Sequence, residues 1–256
     1  MVKIYGARLV WRVVVVLGVV QMYVKDRTSL AISSGLSLRD GFKPLHLIWL
    51  LYAGEMLLKV IPQKITSIGS RKVFKALFEP AADGLSAVEI MAEKQKRNET
   101  VKKVFIVWFG SNALLAAGCF ARILSESALL LTSLFYYVGD LICVIFFCPF
   151  QTVIMKNRCC VTCPIFNWDS LMYCTPLIFI RSFYSWSLVL MALSLFIWWE
   201  VGFRKHPQRF LAACNEKLKC ANCAEQICKV KRRLQPVWRE LAVGDHSQTE
   251  TVERRL

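Results

Sequence analysis

Apolar residues in this chain fall in long blocks rather than at the 3.6- or 2-residue spacing of half-buried helices and strands. Five blocks stand out, at 9–24, 46–62, 104–121, 129–155 and 171–203. A helix crosses a ~30 Å hydrocarbon core with roughly 20 mostly apolar residues, and inside lipid the backbone must satisfy its own hydrogen bonds. The pattern predicts spanning helices at 9–24, 46–62, 104–121, 129–155 and 184–203. A polar loop over 63–103 interrupts this membrane domain (1–203), and a basic, cysteine-rich tail over 204–256 follows it.

The fifth block is the irregular one. Its 33 residues would make a helix of roughly 50 Å, too long for one crossing and too short for two with a turn. Pro176 and Arg181 sit near its middle. This predicts a short re-entrant helix at 171–180, a turn at Arg181–Ser182 and a full return helix. Irregular backbone at depth is tolerated where protein or water surrounds it. The competing arrangement is one long tilted helix, which would put the tail on the opposite side.

Charge supports the hairpin. The loop over 63–103 holds nine Lys or Arg and the tail from Gly202 holds twelve. Basic residues collect on the cytoplasmic side. Both segments, and both termini, are therefore expected inside a cell membrane. Lys3, Arg8 and Arg12 precede an apolar run as in a secretory signal, but Val24 continues into Lys25-Asp26-Arg27 with no small-residue cleavage site. An uncleaved anchor is expected. In the loop, 70–78 has apolar residues at helical spacing and suits a surface helix, and 85–97 reads as a second helical stretch. The end from about Val243 has almost no apolar content and is expected to be disordered.

Composition excludes whole classes. With 55% hydrophobic residues and a mean hydropathy of +0.43, the chain is no disordered polymer. Its net charge of +15 follows from cytoplasmic loops facing anionic lipid. No compact basic, aromatic-bearing domain points to nucleic acid. No Walker, dinucleotide, nucleophile-elbow or zincin motif points to a nucleotide or to hydrolysis. The three histidines, His46, His206 and His246, lie outside the middle of any block, so a bis-histidine haem within the membrane is excluded.

The eleven cysteines carry the clearest chemistry. Cys119, Cys143 and Cys148 fall in apolar blocks and read as small packing residues. Cys159, Cys160 and Cys163 form CCxxC, with Cys174 beyond, and Cys214, Cys220, Cys223 and Cys228 cluster in the tail. Two CxxC pairs can hold a four-coordinate zinc ion or an iron–sulfur cluster. Cys160, Cys163, Cys220 and Cys223 are the expected core ligands, with Cys159, Cys214 and Cys228 as further candidates. Thiol–disulfide chemistry at CCxxC is the alternative use.

Ionisable residues inside a bilayer are costly and mark candidate sites. Asp140, mid-block, and Arg181, at the turn, are the expected pair. Glu55 and Lys59, four residues apart, are expected to pair locally. The expected architecture is an all-α polytopic membrane helix bundle with about five spans and one re-entrant helix. Three functions fit it. One is a redox component whose cysteine-held iron–sulfur centre serves a membrane partner or quinone. Another is a scaffold or transporter accessory with a structural zinc site. The last is a solute carrier using Asp140 and Arg181.

Overall fold

The structure, a computed structural model, describes residues 2–26, 30, 43–62, 69–82, 84–157, 159–223 and 227–231. The tail end expected to be disordered lies outside these. Among the described residues the regular elements are helical, apart from one isolated bridge between Pro80 and Asn215. The chain order is α1 (Val2–Lys25), α2 (Pro44–Val60), α3 (Ser70–Val73), α4 (Ala87–Phe120), α5 (Glu126–Ile145), α6 (Asp169–Cys174) and α7 (Phe183–Lys205).

Four helices, α1, α4, α5 and α7, are long and apolar enough to cross a membrane. The sequence pattern counted five. Its second block does form a helix, but α2 has only 17 residues, about 25 Å at 1.5 Å per residue. The fourth block also ends early. α5 stops at Ile145, and after Pro149 the chain makes a single π turn over Phe150–Ile154. Proline lacks the N–H that a continuing helix would need and clashes with the preceding turn.

The third block grows instead. The polar stretch and the apolar block merge into one 34-residue helix, α4. Its start is fixed by a capping box. Ser86 Oγ accepts the Glu89 N–H, and a Glu89 carboxylate oxygen accepts the Ser86 N–H at 2.8 Å. Its end is fixed by Arg122, whose φ of 57° is left-handed. The chain then turns, and Ile123 and Leu124 both donate to the Gly118 carbonyl.

The break in the fifth block is where proline and arginine suggested. α6 gives way to a 3-10 turn over Thr175–Phe179 containing Pro176, and Ile180 is extended. Ser182, also extended, begins α7. Arg181 is exposed at that bend.

Packing follows narrow stripes. α1 buries Tyr5, Arg12 and Val19, spaced by seven, and packs mainly on α5. α7 buries Ser185, Leu188, Ala192, Leu195 and Trp199 at three- and four-residue steps. The main core joins Tyr52, Met56, Leu134, Tyr137, Tyr173 and Leu188, drawn from α2, α5, α6 and α7. The outer faces of α1 and α4 keep large apolar residues exposed, among them Trp11, Leu17, Phe109 and Leu114.

One end of the bundle is closed by polar loops. Lys72 is buried there and donates to the Cys163 carbonyl, while Arg97 donates to the Thr162 and Phe210 carbonyls. Burial, with the nearby charge of Arg97, pulls the Lys72 ammonium down to about 8. Tail residues fold back onto the same end, where Leu218 and Ile227 pack with Tyr5, Leu141 and Val161.

Candidate functional site

The polar centre of the bundle is built from four helices. Arg12 of α1 is 4% exposed. Its guanidinium grips Glu55 of α2 through two nitrogens and reaches Asp140 of α5 at 3.1 Å through a third. It also donates to the Tyr137 carbonyl and lies 3.8 Å from the centre of the Tyr137 ring. Tyr137 in turn donates its hydroxyl to Glu55 at 2.7 Å. One turn along α2, Lys59 pairs with Asp169 of α6 and donates to Ser170 at 2.6 Å. Between the two ion clusters stand Tyr52, Tyr137 and Tyr173, with ring centroids 4.7–5.3 Å apart.

Two sequence expectations are corrected here. The partner of Asp140 is Arg12, not Arg181. Glu55 and Lys59 do not pair with each other; each reaches across to another helix. Arg12 lies inside the first apolar block, not merely beside it. The rule that singled out Asp140 applies equally to it.

Among the described residues the charges do not balance. Two cations, Arg12 and Lys59, face three carboxylates, Glu55, Asp140 and Asp169. The hydrogen bonds are unequal as well. Glu55 takes a two-point contact and a tyrosine hydroxyl, whereas Asp140 takes a single contact from Arg12.

Asp140 and Asp169 also share the wall of a cavity of about 550 Å³. It lies between α4 and α5 and is floored by the π turn and α6. Trp108, Phe135, Tyr136, Phe147, Phe150 and Phe166 line it, and no Lys, Arg or His is among its described lining residues. Two wall residues, Trp108 and Gln151, each hold a buried nitrogen donor without a partner among the described residues.

The thiols are divided between this cavity and its neighbour. Cys143, Cys148, Cys160 and Cys163 line the large cavity. Cys159, Cys160, Cys223 and Cys228 meet around a void of about 10 Å³, with Lys231 beside them. Loop and tail cysteines thus share one end of the molecule. They do not converge as two CxxC pairs. Cys163 packs with Val104, Ile165 and Trp168, and burial pushes its thiol up to about 12. Cys220 is exposed and Cys214 is buried, its carbonyl accepting the Ala81 N–H. Among the described residues no three His, Cys, Asp or Glu side chains are arranged to hold a metal ion. Cys143 and Cys148, which the sequence marks as packing residues, are partly buried.

Comparison with family models, curated proteins and solved structures gives no match for this chain.

Proposed function

We propose that this chain is a membrane carrier that binds a lipophilic organic cation in the cavity between α4 and α5. Four helices of spanning length support a membrane location, and the basic loop and tail support cytoplasmic termini. One observation carries the reading. The cavity wall combines six aromatic side chains with Asp140 and Asp169 and offers no basic side chain among the described residues. Aromatic faces are negative and attract an organic cation, and the two wall carboxylates, paired with Arg12 and Lys59, belong to a network with one more carboxylate than cations among the described residues. The network is one negative charge in excess, so a bound monocation, or a proton in its absence, neutralises it.

Titrating purified protein in detergent with tetraphenylphosphonium tests this. Saturable binding is expected, weakened at least tenfold by Asp140→Asn and by Asp169→Asn. Binding that both substitutions leave unchanged, in folded protein, defeats the reading.

A second reading follows the thiols. Cys159, Cys160, Cys223 and Cys228 line one void without being arranged to hold an ion, so a cysteine-held zinc or iron–sulfur centre, the latter exchanging electrons with a quinone, requires these side chains to draw together on metal binding. Anaerobic purification with metal analysis tests it. Metal lost in Cys160→Ser and Cys223→Ser supports the centre, and metal-free protein rejects it.

A further inference from the structure

A second pair of thiols lies outside the CCxxC motif. Cys143 is in the last turn of α5 and Cys148 follows two residues before the π turn. Their thiols are within hydrogen-bonding reach of each other. Cys148 Sγ also accepts the Gln151 backbone N–H at 3.4 Å. Lys231 lies nearby, donating to the Cys143 carbonyl at 2.8 Å, to Gln151 Oε1 at 3.1 Å and to the neighbouring Cys160 Sγ at 3.0 Å. Both cysteines are partly buried and both line the 550 Å³ cavity.

We propose that Cys143 and Cys148 are a redox-active dithiol that reacts with low-molecular-weight disulfides, Cys148 attacking and Cys143 resolving. This does not rest on the cation reading.

The roles follow from the surroundings. The thiolate is the nucleophile, and donors or positive charge around sulfur favour it. The hydrogen bond from Cys143 comes first, and the Gln151 and Phe150 N–H groups and Lys231 add to it, bringing the Cys148 thiol down to about 7. Cys148 thiolate attacks one sulfur of the disulfide, forming a mixed disulfide and expelling one thiolate. Cys143 then attacks Cys148 Sγ, and a second thiolate leaves. Two protein thiols are oxidised, one disulfide is reduced to two thiols, and the two protein protons end on the products.

The test uses the full chain, reduced, in detergent, with oxidised glutathione as the probe and mass spectrometry as the readout. Exposed Cys220 reports that the reagent is active. The wild type should form a Cys143–Cys148 bond, with a rate that rises through pH 7 rather than pH 9. Cys143→Ser should trap glutathione on Cys148. Cys148→Ser should slow capture at Cys143 at least tenfold. A bond from either residue to Cys160 instead, equal capture on Cys143 in Cys148→Ser, or modification of Cys220 with the pair still reduced would each overturn the proposal.

Discussion

Arg12 and Asp140, 128 residues apart in sequence, meet at 3.1 Å in the middle of the bundle. The contact ties α1 to α5 at the point where both are otherwise apolar. Removing one member of a buried ion group leaves its partners as uncompensated charges, typically costing about 3–5 kcal/mol. Arg12→Leu should therefore lower the unfolding temperature in detergent sharply. Adding Glu55→Gln and Asp140→Asn should restore most of the loss. Arg12→Lys should fall between, because an ammonium cannot reproduce the two-point grip on Glu55. Equal stability of Arg12→Leu and wild type would show that the network is not what joins these helices.

Lys72 makes a pH-dependent prediction. Its folded pKa, about 8, lies below its ordinary value of 10.5. Between those values the unfolded chain holds a proton that the folded chain has lost, so this group makes stability rise with pH there. Below about 8 the folded chain must bury the charge, at a cost of up to roughly 3 kcal/mol. Lys72→Met should thus be more stable than wild type at pH 7, with the difference shrinking from pH 8 to 10. Thermal unfolding of the two proteins across that range checks it, and a constant difference would refute it.

Gly69 is a close approach. A Cβ there would stand 2.6 Å from Cη2 of Trp199 and 3.3 Å from Oδ1 of Asn167. Trp199 is buried against Phe210 and has little room to retreat. Gly69→Ala should cost about 1–3 kcal/mol by overpacking. Gly54→Ala, where a Cβ meets nothing within 4 Å, should be neutral or slightly stabilising because alanine favours helix. Matched melting curves distinguish the two.

Asn215 holds the tail down. It is fully buried, and its amide nitrogen donates to the Arg71 and Arg209 carbonyls at 3.2 and 2.8 Å. Asn215→Leu strands both carbonyls, a loss of about 1–3 kcal/mol. Limited proteolysis should then cut between 205 and 219 well before the bundle is degraded. An unchanged digestion pattern would count against this anchoring role.

Much of the architecture was legible in the sequence because it depends on local chemistry. Block length separates helices that can cross a bilayer from those that cannot. Pro176 and the bend at Arg181–Ser182 break the last block for reasons contained in a few adjacent residues. The same local logic misjudged Pro149, which ends the fourth block, and missed the Ser86–Glu89 cap that starts α4 inside the polar loop. The site was legible only in part. Asp140 could be singled out, since a carboxylate in an apolar block is conspicuous alone. Its partner could not be chosen, because Arg12, Lys59 and Arg181 all offer a positive charge and only the stacking of α1 on α5 selects one of them. Cysteine spacing likewise located two clusters but not their grouping. Tertiary packing turned Cys163 into an apolar pocket and left Cys220 at the surface. Sequence fixes which side chains are available within a few residues, whereas pairing across helices depends on which faces are buried together.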